Sequence, residues 1–299
     1  MSAMKALLAI LKLILNHPFN SGHKIRSIID FFKWQTASRL MDKKFIINWV
    51  NNSKFIVSKG ESGLTGNLYF GLMEYEDMSF LLHFTKKTDT FYDIGANVGA
   101  YTILASAVRG CHSICFEPLT LTFERLLDQI KVNRIGSLVD ARNNGVGDKN
   151  EKLEFTSNLD CGNRVNTDPS NKEIEEVDVI TLDSNFDPKS PTIVKIDVEG
   201  YEKFIIDGGS QFFLNPNVIA LIVELSGDFF GVKHSDIDAK ITSFGFLPIS
   251  YSPLTRKINT LDLYNVGGNS IYVKDIDDAK KRCLDSEKFC IHTANGLII

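Results

Sequence analysis

The chain lacks most of what would mark a disulfide scaffold, a membrane-spanning protein or a nucleic-acid binder. Five cysteines occur among 299 residues, Cys111, Cys115, Cys161, Cys283 and Cys290. An odd, scattered set argues against a disulfide framework and fits a reducing compartment. The pair in "CHSIC" (111–115) has no second ligand cluster, so it reads as structural thiols rather than half of a tetrahedral zinc site. There is no basic excess: the net charge is −4, and no basic stripe points to nucleic acid. The N-terminal apolar run in "MSAMKALLAILKLILNHPFN" is interrupted by Lys12 and falls short of the ~20 residues a bilayer requires. No small-residue cleavage site follows it, so no secretory signal is expected. Internal repeats and low-complexity tracts are absent.

What remains is ordinary globular composition, 43% apolar and 23% charged. Residues 1 to about 50 read as helical, from mixed three-and-four spacing of apolar residues. Lys5 and Lys12, seven apart, share a helix face. Such a helix either docks on its own protein or a second copy, or lies on a membrane surface. Residues 55–72 read as strand and loop, and "YEDMSFLLHFT" as a short helix whose acids Glu74, Glu76 and Asp77 form a solvated face.

From residue 90 the pattern alternates. "TFYDI", "SICFE", "VDARNN", "TIVKID" and "VIALIVEL" read as short strands, each followed by a helical or polar stretch. Such alternation gives an α/β fold with a parallel sheet covered on both faces. "FLPISYS" and "NSIYVK" close the sheet with no helical pattern between them, which predicts an antiparallel final pair. The expectation is seven strands, mostly parallel, with the last reversed.

The first strand leads into "DIGANVG". In an open parallel sheet this turn lies beyond the carboxyl ends of the strands, where ligands bind. Gly95 and Gly99 are separated by three residues, and no third glycine completes the dinucleotide spacing. Asp93 would face a pyrophosphate with like charge, whereas S-adenosylmethionine carries a sulfonium and an amino group that suit a carboxylate. Glu117 ends the second strand 22 residues beyond Gly95, the spacing of a ribose-binding acid in dinucleotide and methyl-donor sites alike. The adenine edge is expected after the third strand, near Asn144, Gly145 and Val146.

With "DIGANVGAYT" (93–102), "FEP" (116–118), "VDVITLD" (177–183), "KIDVEGYE" (195–202) and "VELSG" (223–227), the chain resembles the FkbM family of S-adenosylmethionine-dependent methyltransferases. The resemblance covers roughly residues 65 to 275. It implies a class I methyltransferase (Rossmann-like) fold with strand order 3-2-1-4-5-7-6. It also implies methyl transfer mostly to hydroxyl oxygens, often on sugars of glycans or natural products. Asp93, Gly95, Asn97 and Gly99 would line the methionine end and Glu117 the ribose. The organisation expected is an N-terminal helical region (1–60), a methyltransferase domain (61–275) and a C-terminal tail (276–299).

Methyl transfer to oxygen needs an aligned hydroxyl and removal of its proton. Lys195 and Asp197 alternate to one face of the fourth strand, next to the first. Asp197 is the first candidate for general base or hydroxyl acceptor, and Glu199 the second. Lys195 would pair with Asp197, or act as a base if burial lowers its pKa. Asp197, Glu199 and Glu224 supply oxygens a divalent ion would accept, but no tight cluster demands one, and no metal is assigned. His83 and His234 would suit a base if they approach the site, and Asn163 and Arg164 a polar or anionic substrate. The expectation is a cytoplasmic O-methyltransferase acting on a small-molecule or glycan acceptor. Its N-terminal helix would touch the inner membrane face or join two copies. A nicotinamide-dependent oxidoreductase and a non-catalytic binding protein on the same fold are the alternatives.

Overall fold

The computed structural model describes residues 3–41, 43–58, 64–157, 162–168, 170–225, 230–266 and 268–299. Helices α1 (Ala3–Asn16) and α2 (Lys24–Leu40) are joined through a 3-10 turn, Pro18–Asn20. Asn20 pins that turn: its amide donates to the carbonyls of Ile14 and Tyr69, and the Ser27 hydroxyl donates to its Oδ1. Helix does not extend to residue 50. Phe45–Asn48 (β1) and Lys54–Val57 (β2) pair as an antiparallel hairpin, because their aromatic and β-branched residues favour extended backbone. Helices α3 (Thr65–Phe70) and α4 (Tyr75–Phe84) lead into the sheet.

The alternation read from the sequence then follows. Strand β3 (Thr90–Ile94) runs into α5 (Ala100–Thr102), which continues as a π-helical turn over Ile103–Val108. Next come β4 (His112–Phe116), α6 (Thr120–Asn133) and β5 (Val139–Arg142). The polar stretch to residue 178, read as irregular, folds as a second sheet. Its strands are β6 (Gly145–Val146), β7 (Glu151–Thr156) and β8 (Ile174–Ile180), in the order β6-β8-β7. In β8 only alternate residues, Val177 and Val179, are buried, so a thin apolar stripe suffices to hold it. After α7 (Leu182–Asn185) come β9 (Thr192–Ile196), α8 (Glu202–Gly208), α9 (Ser210–Leu214), β10 (Val218–Glu224) and α10 (His234–Ser243). The chain closes with β11 (Leu247–Ser252), β12 (Lys257–Thr260), β13 (Asn269–Val273), α11 (Ile276–Asp285) and a two-strand turn, β14 (Cys290–Ile291) with β15 (Leu297–Ile298).

The main sheet has the order β12-β11-β13-β10-β9-β3-β4-β5. Seven of its strands are those expected, in the order 3-2-1-4-5-7-6, with β13 antiparallel to both neighbours. The eighth, β12, lies in the loop between the last two expected strands and pairs back on β11 as an edge hairpin. This is the class I methyltransferase architecture, an α/β fold with a mostly parallel sheet.

Every residue of β9 is buried, as a central strand covered on both faces requires. Burying each large apolar side chain there contributes about 1.5–3 kcal/mol. One core layer joins Phe19, Trp49 and Phe55 from the N-terminal segment to Phe80, Tyr101 and Phe289; the other packs Ile205, Phe213 and Phe244. Trp49 is fully buried, and its indole donates to the Gly71 carbonyl at 2.6 Å. The N-terminal segment thereby fixes the stretch Gly71–Glu74, which runs to the carboxyl edge of the sheet.

Candidate active site

At that edge β3 ends and the chain turns sharply. Gly95 takes φ +79°, and a Cβ there would stand 1.8 Å from the Asp197 carbonyl oxygen, so only glycine fits. The Gly95 and Ala96 amides donate to the Phe116 carbonyl at 3.1 and 2.8 Å, which locks the loop to β4. Asn97 follows in the left-handed region at φ +49°. Its amide donates to Glu117 Oε2 at 2.9 Å, and the Leu119 amide donates to Oε1 at 3.1 Å. Burial pushes the Glu117 carboxyl up to about 7, against the pull of those two amides. Each oxygen accepts one amide and retains a further lone pair, and the residue lines the cavity, so a ribose diol could be bound there.

Asp93 is buried on β3, level with Lys195 on β9. Its Oδ2 accepts from the Thr102 hydroxyl at 2.6 Å. Burial raises its pKa, and the Lys195 ammonium and the Thr102 hydroxyl oppose that rise. The chain itself therefore supplies part of the positive charge that sequence reasoning asked of the ligand.

The second end of the cavity begins at Lys195, whose Nζ is 2.5 Å from Asp197 Oδ2. This is the pair that strand alternation predicts. Burial alone would lower the Lys195 pKa, but Asp197, Glu74 and Asp93 outweigh it and raise it. An ammonium held charged in this way stands in the structure as the counterion of Asp197. For Asp197 burial pulls upward, while Lys195 and a hydrogen bond with the Glu224 carboxyl overcome it and leave the pKa low. Glu199 differs. Burial and the Asp197 charge raise its pKa, with Arg164 and Lys195 opposing. Its backbone is left-handed at φ +54°, an uncommon state for a non-glycine residue that marks strained functional turns.

These groups surround one cavity of about 270 Å³. Of the ten residues assigned from sequence, Asp93, Gly95, Asn97, Glu117, Lys195, Asp197 and Glu199 line it. Gly99, Asn144 and Val146 do not. Gly99, at φ +84°, caps α5, where a Cβ would stand 2.5 Å from Leu126. The Asn144 amide is turned to the Asp178 carbonyl, and Val146 is buried in the core, because the chain leaves β5 for the second sheet. Pro118, Leu119 and Thr122 line the cavity past Glu117 instead.

Glu74 was missed. Sequence reasoning put it on a solvated face, yet it lines the cavity and accepts a hydrogen bond from the buried Tyr101 hydroxyl. Tyr101 also presents its ring 4.5 Å from Lys195 Nζ. Asp77 likewise turns inward, accepts from Asn269 at 3.2 Å, and is pushed up to about 7 by burial and the Glu74 charge. Both acids flank the N-terminus of α4, whose dipole tolerates them. Only Glu76 is exposed as expected. A run of three acids before an apolar helix carries no signal of which side faces inward.

Asn163 lines the cavity; Arg164 is not among its lining residues, but its charge opposes the rise of the Glu199 pKa. His83 is buried elsewhere, 2.5 Å from the Tyr251 hydroxyl, with its pKa lowered to about 3 by burial. His234 opens α10 and packs edge-on to Tyr264. Neither lines the cavity. Cys111 and Cys115 are buried free thiols whose pKa burial raises, consistent with packing roles. Cys161 lies outside the described residues. Asp197, Glu199 and Glu224 each bring one carboxylate oxygen within 4.8 Å of the others, so the cluster that spacing alone did not demand is assembled by the fold.

Comparison with known proteins gives consistent results. The methyltransferase FkbM domain matches residues 93–248. The hexuronic acid methyltransferase AglP of Haloferax volcanii is 25% identical over 186 residues, covering 61% of this chain and 73% of AglP. Among solved structures, a precorrin-6y C5,15-methyltransferase from Geobacter metallireducens is similar at 11% identity and TM-score 0.40, over 73% of this chain and 93% of that one. An rRNA methylase from Streptococcus thermophilus is similar at 11% identity and TM-score 0.37, over 66% and 93%. The architecture rests on the strand order and not on those superpositions. A match across more than half the chain, on a fold and cavity of the right kind, makes this chain a member of the FkbM methyltransferase family.

Proposed function

We propose that the protein transfers a methyl group from S-adenosylmethionine to a hydroxyl of a sugar or glycan. The observation that carries this reading is one cavity with two differently built ends. One end has Glu117, braced by two backbone amides and turned to a diol; the other has the Asp197–Glu199 pair. Glu117 takes the ribose hydroxyls, and Asp93 and the Gly95–Asn97 turn face the methionine moiety. Asp197, held ionised by Lys195, accepts a hydrogen bond from a neighbouring hydroxyl of the sugar and so aligns the reacting hydroxyl with the donor methyl. Glu199, whose raised pKa brings it nearer the working pH, takes the proton as the oxygen–carbon bond forms. S-adenosylhomocysteine leaves. The sugar class draws support from the AglP relative, whose name states a hexuronic acid methyltransferase.

Two measurements test the reading. S-adenosylmethionine at a hundredfold over its Kd should stabilise the protein by about 2.7 kcal/mol in a melting experiment, and NADH should leave it unchanged. Methyl-labelled donor incubated with a panel of hexoses, hexuronates and lipid-linked glycans should give label in a hydroxyl-derived ether. Label arriving on a carboxylate or an amine would replace the acceptor class while retaining the enzyme.

A further inference from the structure

The N-terminal helices carry a surface that the cavity does not use. Isoleucine, phenylalanine, threonine and leucine at positions 25, 29, 32, 36 and 40 recur at spacings of four, three, four and four along α2, which lines them up as one stripe. All five face solvent, and Ile25 and Leu40 are 77% and 79% exposed. The opposite side of α2 is already spent: Ser27, Phe31 and Ser38 are buried, and Phe31 stacks edge-on to Tyr69 at 5.1 Å. Two grooves, one along α2 and one between α1 and α2, meet at Phe32, Thr36 and Leu40. Leu8 and Leu13 of α1 are exposed as well.

Charge names the partner. Residues 1–44 hold eight lysines and arginines against two aspartates, a net +6 in a chain of net −4. The remaining 255 residues therefore carry −10. On α2 the exposed basic residues border the stripe: Lys24 and Arg39 on one side, Arg26 and Lys33 on the other. The acid on this helix, Asp30, sits between Arg26 and Lys33 at 3.8 and 3.3 Å. Long basic side chains beside an apolar stripe let the stripe enter an interface while their heads stay at the polar boundary. A second copy meeting the first stripe to stripe would set one basic border against another, a repulsion that an anionic lipid surface replaces with attraction.

We propose that the α2 stripe and its basic border dock the protein on an anionic bilayer surface. Among the described residues no helix is long and apolar enough to cross a membrane, so the contact is peripheral. The geometry links it to the cavity. Helix α2 packs on α3, Gln35 donates to the Tyr69 hydroxyl at 3.1 Å, and the segment leaving α3 supplies Met73 and Glu74 to the cavity wall. A docked α2 holds that wall close to the lipid headgroups.

The test uses the full chain and vesicles, and does not depend on methyl transfer. Co-sedimentation is measured on phosphatidylcholine alone and on phosphatidylcholine with phosphatidylglycerol at about three to one. The expected result is partition onto the anionic vesicles at least about tenfold above the neutral ones, falling with added salt. Ile25→Glu with Leu40→Glu should abolish it, and the exposure of both positions leaves the fold, checked by circular dichroism, intact. Lys24→Gln with Arg39→Gln keeps the stripe and should weaken partition about fivefold per charge. Equal partition on both vesicles, or binding that survives the glutamate pair, overturns the proposal. So does a concentration-dependent dimer in sedimentation velocity that the glutamate pair disperses, which would make a second copy the occupant.

Discussion

The two ends of the cavity are built in different ways. The donor end is local: Asp93, Gly95 and Asn97 lie within five residues, and Glu117 joins them through amides at Asn97 and Leu119. The acceptor end draws Glu74, Asn163, Asp197, Glu199 and Glu224 from four separate stretches of chain. Local turns are specified by glycines and strand ends, which leave a mark in sequence. Walls assembled from distant segments leave none. At the donor end backbone amides brace Glu117, and a hydroxyl and the Lys195 ammonium hold Asp93, whereas the acceptor end sets several carboxylates around that same lysine. One end is made to hold, the other to react.

Four substitutions break that contrast in order of size. Glu199→Gln should lower turnover by about two to four decades and leave donor affinity within about twofold, because it removes the proposed base alone. In the parent enzyme the rate should climb with pH through the raised Glu199 pKa, since only the ionised carboxylate accepts a proton; the variant should lack that limb. Stopped assays across pH check both. Asp197→Asn should cost a similar factor in rate and, unlike the first, about 3 kcal/mol of stability, because Lys195 is left buried without its counterion. Urea unfolding distinguishes the two.

At the donor end Glu117→Gln should weaken donor binding about tenfold, measured by calorimetry, with the rate at saturation nearly unchanged. Here the sign of the pH effect is set by a folded-state pKa of about 7, above the ordinary value. The protonated carboxyl stabilises the ligand-free fold, fully below the ordinary glutamate range, and that stability is lost as pH rises through about 7. Donor binding to the carboxylate should tighten over the same rise. The glutamine variant should flatten both slopes in paired melting and titration series.

Tyr101→Phe is the mildest of the four. It removes the hydrogen bond to Glu74 but keeps the ring beside Lys195, so the rate should fall only about fivefold, with melting little changed. Dialysis against a chelator should have a still smaller effect, less than about twofold, because Lys195 already balances Asp197. A large loss restored by magnesium would show instead that the three converging carboxylates hold a cation.

Legibility followed the same division. The strands of the main sheet were readable because central strands are continuous apolar runs closed by turn residues. The hairpin at Phe45–Val57 and the sheet formed by β6, β7 and β8 were not, since short half-exposed strands lack that signature. Asp93, Gly95 and Glu117, singled out by spacing, and Asn97, carried by the family resemblance, all line the cavity. Val146 was misplaced because the chain changes sheets after β5, a step that periodicity does not record. Glu74 was hidden for a related reason: its inward turn depends on where Trp49 and Gly71 anchor the preceding segment. Spacing left Lys195 open between ion-pair partner and base, because the number of acids around it is a property of the folded cavity.

One contact has a consequence for how the reaction cycle runs. The bare α-carbon of Gly95 rests on the peptide oxygen of Asp197, with no room between them for even a methyl group. The turn proposed to hold the nucleoside and the turn proposed to aim the nucleophile are thus seated on each other like two cogs. Whichever substrate arrives first presses its half into register and sets the position of the other. Mutual tightening, each substrate raising the affinity for the other by the same factor, is the binding pattern such a seating would produce.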